Sequence, residues 1–479
     1  MNWVDSESMV EKNARFINIA IVVMFIGTVM YSIVLSQGYV IKPFVSSEEI
    51  AKCNGNTWNY DFSPDGKRFA YFDTIGNHNG TIVLMDVDGS NRIELGFNPN
   101  WSVPLFSEDN EHLIYLANDT LFIANSNGTE RRQLVEGDVV TLGHEPANYD
   151  ILRGNVVFTQ DGNISIVNTD GTGKTTLTTQ GGFGPLITPD GTQIIYIRNE
   201  GDGVQAGWEE MSHNMTLRAI NVDGTGDREL AAYDYHYYIK NMQFHPEGKR
   251  LFYTVEVRNH PVESDNGIWS VNIESGNLTR YTHSDDSFIF FSHDGRSFYY
   301  MGNVWAHHHE LRNINTDGTD DRSLSRSNDY FGGASMHPED DLIVAKVGHD
   351  MPNRRGLWIM DTDGSNELKI EGEGAAPMFT PDGKYIIFWK TELSGEYDHS
   401  LHRIEYEGLH SKSQMAKASP FVCFPLVFLF FMWVVHVKKL EKRNTVMASS
   451  ESKKAHEENH GDEDSNEIIA PATFQNEKQ

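Results

Sequence analysis

Between residues 48 and 408 the apolar and polar positions follow one repeating phrase. It consists of an apolar run, a Pro-Asp-Gly-like turn, a β-rich run, a variable loop, a second β-rich run and an Asp-Gly turn. The first copy reads Phe62-Ser63-Pro64-Asp65-Gly66, Phe69 to Phe72, Ile82 to Met85 and Asp88-Gly89-Ser90. Later copies of the first turn centre on Asp109, Asp190, Glu247, Asp294, Glu339 and Asp382. The second turn recurs at Asp88, Asn127, Asp170, Asp223, Ser275, Asp317, Asp363 and Glu407. The period is about 45 residues and doubles once, between Asp109 and Asp190. There a degenerate unit fills the gap, with Val156 to Phe158, Asn163 to Val167 and Asp170-Gly171. Both turns therefore count to eight units.

Short β-rich runs separated by Asp-Gly and Asn-Gly are hairpin signals, because these residues accept the positive φ angles of tight turns. Four strands per period describe a propeller blade, which is stable only when stacked against neighbours. The expected fold class is all-β, an eight-bladed β-propeller. Its closure is also legible. When Trp58 is aligned with Trp101, Ile50 falls against Ile93 and Glu49 against Arg92, so Glu48 to Lys52 reads as a stray outer strand. The last unit ends after Leu401 to Tyr406 without an outer strand of its own. The N-terminal strand is expected to complete the final blade and remove an open sheet edge.

The motifs Ser63-Pro64-Asp65-Gly66-Lys67, Met85-Asp86-Val87-Asp88-Gly89-Ser90, Thr188-Pro189-Asp190-Gly191 and Met360-Asp361-Thr362-Asp363-Gly364-Ser365 carry a family resemblance. The segment from Glu48 to Gly408 resembles the WD40-like propeller repeats of TolB and the propeller domains of prolyl-oligopeptidase relatives. The resemblance implies a fold and little about function, since its residues make turns. The chain departs from TolB in having eight units rather than six, no recognisable TolB N-terminal domain, and apolar segments at both ends. A role in import or envelope integrity is therefore not carried over.

Those apolar segments are Phe16 to Leu35 and Phe421 to Val437, the second led by Ala418, Ser419 and Pro420. Each nearly matches the roughly 20 residues a membrane-spanning helix needs. The first is the alternative candidate for a secretory signal, although its apolar stretch is long and Asp5, Glu7 and Glu11 precede it. Lys12 and Arg15 flank the first segment, and Lys438, Lys439, Lys442 and Arg443 follow the second. Basic flanks stay cytoplasmic. The expected organisation is a cytoplasmic N-terminus (1–15), a transmembrane helix (16–36), a linker (37–47), the propeller (48–408), a linker (409–417), a second helix (418–437) and a disordered cytoplasmic tail (438–479). The protein is thus expected in the cell membrane, with the propeller extracytoplasmic.

Charge narrows the partners. The chain has 39 basic and 68 acidic residues, a net charge of -29, which argues against nucleic acid as a main partner. With only Cys53 and Cys423, the second in an apolar run, no disulfide is drawn within the propeller.

In such blades the Pro-Asp-Gly and Asp-Gly turns share one rim and the variable loops share the other. Both chain ends are expected on the short-turn rim, so the variable loops face away from the membrane, as binding loops on a rigid scaffold do. These loops run Asp73 to Gly80, Arg198 to Met215, Arg258 to Asn266, Met301 to Glu310, Lys346 to Gly356 and Lys390 to Ser400. They contain His78, His213, His260, His307, His308, His309, His349 and His399, with Trp208, Trp305 and Trp389. Histidine is a frequent metal ligand and titrates near neutrality. His307, His309 and Glu310 form the candidate metal set, against the alternative that polar loops simply contain histidines. The tryptophans are either contacts for a glycan or peptide or plugs for the channel. The Asp-x-Asp-Gly stretches are read as turns, because they run straight into strands and lack the terminal Glu of a calcium loop.

Seven Asn-x-Ser/Thr sequons begin at Asn79, Asn100, Asn118, Asn127, Asn163, Asn214 and Asn277. Asn79, Asn100, Asn118, Asn163 and Asn214 are the candidate glycosylation sites. No Gly-x-Ser-x-Gly elbow and no Gly-rich phosphate loop occurs. The expected activity is binding or scaffolding of a protein, peptide or glycan, with no cofactor and no catalytic residues. The alternatives are a metal-dependent enzyme with a histidine-rich distal pocket, and a purely structural envelope component.

Overall fold

The computed structural model describes residues 46–53, 60–75, 79–98, 103–118, 120–137, 139, 149–200, 214–233, 237–257, 265–284, 286–305, 308–324, 329–339, 341–348, 354–391 and 399–406. All of them fall in one compact unit, Val34–Ser413. The N-terminal segment 1–15, the two apolar end segments, the first linker up to residue 45, the second linker and the C-terminal tail lie outside the described residues. No helix among the described residues is long and apolar enough to cross a membrane.

The described strands form eight four-stranded antiparallel sheets, the eight blades. Blade 1 comprises Tyr60–Phe62, Arg68–Ile75, Asn79–Asp86 and Ile93–Asn98, and the next six follow the same sequential order. Blade 8 breaks that order. It contains Ala375–Phe379, Tyr385–Thr391 and His399–Glu405, and its outer strand is Glu48–Cys53 from the start of the chain. Glu48 stands opposite Arg403 and Cys53 opposite His399, so the expected closure is present. Gly89, at φ +85°, lets a turn of blade 1 approach the Ile50 carbonyl where an added Cβ would collide with it. The closing strand and the first blade thus fit at backbone distance.

The core is a set of eight apolar clusters, one at each junction between neighbouring blades. The reason lies in the strand period. Leu113, Tyr115 and Ala117 pack toward blade 1, while Ile114 and Leu116, on the other face of the same strand, pack toward blade 3. Central strands buried on both faces are accordingly continuous apolar runs rather than strict alternations. Each fully buried Leu, Ile, Val or Phe contributes about 1.5–3 kcal/mol. The junction of blades 8 and 1 is filled like the others, by Phe62, Phe69, Tyr71, Val83, Ile387, Trp389 and Leu401.

The degenerate third unit is a full blade, Tyr149–Leu152, Asn155–Gln160, Asn163–Asn168 and Thr175–Thr176. In place of a Pro-Asp-Gly turn it uses Arg153 and Gly154, at φ 51° and 77°. Two positive φ angles in succession make the tight hairpin turn that needs no proline.

Candidate functional site

The short turns are held by their own side chains. Asp65 Oδ1 accepts the Ser63 hydroxyl at 2.7 Å and the Lys67 N–H at 3.1 Å. Asp109, Asp190, Asp294 and Asp382 repeat the pattern with Ser107, Thr188, Ser292 and Thr380. In the second turn the N–H groups of Ser90, Thr172, Thr225, Thr319 and Ser365 reach Asp88, Asp170, Asp223, Asp317 and Asp363 at 2.8–2.9 Å. The donated side-chain hydroxyl and backbone N–H hold all five carboxyls below their ordinary range. This is turn chemistry, as the sequence suggests. Asp109, Glu111 and His112 bring ligand atoms within 4.8 Å of one another. The two acids are exposed, and Asp109 is already engaged by Ser107 and the Glu111 N–H.

Two turns replace the Ser or Thr by a buried histidine. His245 Nδ1 accepts the Glu247 N–H at 3.2 Å, and its Nε2 meets the Gly295 carbonyl of blade 6 at 2.7 Å. His337 does the same with the Glu339 N–H at 3.2 Å and the Gly383 carbonyl of blade 8 at 3.1 Å. A carbonyl only accepts, so each ring is the neutral Nε2–H tautomer joining adjacent blades.

The opposite rim is the expected recognition face. It is uneven, because the turns there in blades 2 and 3 are short, with strands meeting across 118–119 and across Asp161-Gly162. His78, His213, His260, His307, His349, Trp208 and Asn100 lie outside the described residues. Of His308, Trp305 and Asn79 only the backbone is described, and each sits in a strand. The expected loop from Met301 to Glu310 is therefore corrected. Its ends are the strands Ser297–Trp305 and His308–Asn315, which leave only 306–307 between them. The hairpin of blade 6 extends because β-rich residues continue through Val304 and Trp305. His309 and Glu310, as successive strand residues, project to opposite faces. Glu310 is paired with Arg312 at 3.1 Å.

The loop from Lys390 to Ser400 contracts in the same way. Trp389 is a core residue, 6% exposed, with its ring 5.8 Å from that of Tyr71 at the closing junction. His399 is buried within a strand opposite Cys53, its Nδ1 3.3 Å from the Thr391 hydroxyl. Asn118 and Asn214 are exposed, whereas Asn163 uses its carboxamide on the Gly181 N–H and the Asp161 carbonyl. Cys53 is buried at the same junction, where loss of hydration pushes its thiol up to about 12.

Sequence reasoning missed two groups. Asp61 and Asp150 stand on the first strands of blades 1 and 3. Asp61 accepts the Phe62 N–H at 2.9 Å through one oxygen and the Phe106 N–H of blade 2 at 2.8 Å through the other. Asp150 accepts the N–H groups of Ile151 and of Ile187, in blade 4, both at 2.8 Å. Each carboxylate satisfies one backbone donor in each of two blades. A signal existed, because the equivalent positions of the next blades are Leu105 and Leu186. The other missed group is Arg354, with Asp329 and Glu367, taken up below.

Burial raises both inner carboxyls to about 6, against the opposing effect of their backbone hydrogen bonds. The fold thus favours their neutral form. Stability from this source is full below about 4 and is lost as pH rises through 6. The depressed turn carboxyls act oppositely, losing stability as pH falls below about 4. Stability from these groups is therefore expected to peak near pH 4, to fall between about 4 and 6 and to level off above. Above the peak it should fall by up to about 1.4 kcal/mol per pH unit for each inner carboxyl. Urea unfolding across a pH series should show this slope, and Asp61→Asn with Asp150→Asn should flatten it. An unchanged slope in the double variant refutes the assignment.

No family model and no curated protein matches the chain. Solved structures resemble it in fold. Dipeptidyl peptidase 4 of Porphyromonas gingivalis is 14% identical with a TM-score of 0.52, over 74% of this chain and 58% of that one. A putative TolB from Agrobacterium tumefaciens is 17% identical with a TM-score of 0.37, over 68% of this chain and 98% of that one. An oligogalacturonate lyase in complex with manganese is 13% identical with a TM-score of 0.46, over 75% and 96%. TolB structures thus stand among those similar to it. Identities this low speak to fold alone.

Proposed function

We propose that this chain is a membrane-anchored, extracytoplasmic propeller that binds a protein, peptide or glycan on the rim opposite its short turns. In this reading 16–36 and 418–437 span the membrane, and both termini are cytoplasmic. One observation supports the orientation. The outer strand of blade 8 begins at Glu48 opposite Arg403, near the end of the last strand, so the described chain enters and leaves the propeller on the short-turn rim. Anchors reached from there leave the opposite rim free, where the longer connections of blades 4, 5, 7 and 8 gather.

Site-specific photo-crosslinking in native membranes tests the reading. Exposed Asn118 and Thr391 report on the far rim, and exposed Lys67, Asn127 and Asp223 on the short-turn rim. A discrete adduct is expected from the first pair, lost when His307, His308 and His309 are replaced together by alanine. Adducts from the short-turn positions alone, or from none, would sink the proposal.

A further inference from the structure

We propose that Asn277 is an N-glycosylation acceptor whose glycan shields the outer edge of blade 5; the proposal rests on export of the propeller. Asn277-Leu278-Thr279 is a complete sequon. It lies where the second turn of blade 5 passes into the outermost strand, Leu278–Arg280, whose other edge pairs with nothing in the sheet. Asn277 and Thr279 are both exposed. The Asn277 carboxamide makes no hydrogen bond among the described residues, since only its backbone is used, by Ser275 and Asn272.

Two other described sequons differ. Asn163 commits both ends of its carboxamide to Gly181 and Asp161. Asn127 holds its turn by accepting the Thr129 N–H at 3.0 Å and the Thr129 hydroxyl at 2.6 Å. A glycan on either would have to coexist with those bonds.

A second observation points to the same place. Among the described residues the exposed large hydrophobics are Phe97, at 45%, and Leu278, at 44%. Both stand on outermost strands, and each lies within three residues of a sequon, Phe97 near Asn100 and Leu278 beside Asn277. An apolar side chain on an unpaired strand edge invites pairing with another chain, and a bulky hydrophilic group beside it prevents this. In the modification the Asn277 Nδ2 displaces the pyrophosphate of a lipid-linked oligosaccharide from the anomeric carbon. An N–C bond forms, a C–O bond breaks, and one amide proton is released as lipid pyrophosphate departs.

The test is expression of the full chain in a eukaryotic secretory cell, followed by peptide mass spectrometry after enzymatic deglycosylation, which converts an occupied Asn to Asp. Asp at position 277 is expected. Asn277→Gln and Thr279→Ala should each remove one glycan's mobility shift, and both should raise the aggregated fraction severalfold on size exclusion. Recovery of unmodified Asn277 while Asn118 or Asn214 is modified overturns the proposal and leaves export intact. No modification at any sequon overturns the proposal and the export reading together.

Discussion

Arg354→Met is expected to lower the unfolding free energy of the propeller by about 3–5 kcal/mol, the cost of leaving buried charge without its partner. Arg354 is only 12% exposed at its side chain and faces Asp329, at 1%, and Glu367, at 4%. Its Nη1 donates to Glu367 at 2.9 Å and its Nε to Asp329 at 3.3 Å, while the guanidinium lies 4.1 Å from the centre of the Trp358 ring. Methionine keeps the unbranched apolar stem and deletes the charge. Two carboxylates then share one buried site. The triple change Arg354→Met, Asp329→Asn, Glu367→Gln should recover at least half of the loss, because it removes the charges together. Urea unfolding of the three forms decides the matter. If Arg354→Met costs under about 1 kcal/mol, the range of exposed pairs, the triad is not the buried network described.

The contrast between this triad and the turns shows what a sequence exposes. The turns are local: Asp65 bonds residues two positions away, and only certain residues accept the φ angles that such turns need. The ring and its count of blades are therefore legible, as is its closure, because Ile50 repeats the environment of Ile93. Arg354 instead meets partners 25 and 13 positions away in sequence, brought together only by the folding of blade 7. Asp61 lies between these cases. Its position is recognisable only by noticing that the next blade places Leu105 there, and its partner Phe106 belongs to that blade. Trp389 was misleading for another reason. Strands buried on both faces continue without a polar break, so the boundary between strand and loop leaves no mark in the apolar pattern. The far rim was legible as a place and not as a chemistry, because variable loops carry no turn code.

Deleting Glu48–Cys53 is expected to have the larger effect, because it opens the circle. Blade 8 would keep three strands, and the edge of His399–Glu405, now paired at Arg403, His402, Leu401, Ser400 and His399, would be bare. Cys53 is 4% exposed, and Ile50 and Ala51 pack on the cluster between blades 8 and 1, so apolar burial is lost along with the ladder. The Arg403–Glu48 ion pair at 2.7 Å goes too, although an exposed pair contributes at most about 1 kcal/mol. Blades 1 and 8 would still touch through Tyr71 and Trp389 and through the Tyr60 hydroxyl on the Ala376 carbonyl. The expected result is thus a ring that forms and reopens easily. Unfolding should split into more than one transition, begin several kcal/mol earlier and be accompanied by association through the bare edge. A synthetic peptide of residues 46–55 added in excess should restore the single transition, with a gain that grows with the logarithm of its concentration. One unchanged cooperative transition in the deleted chain, with no response to the peptide, would show that the ring does not depend on this strand.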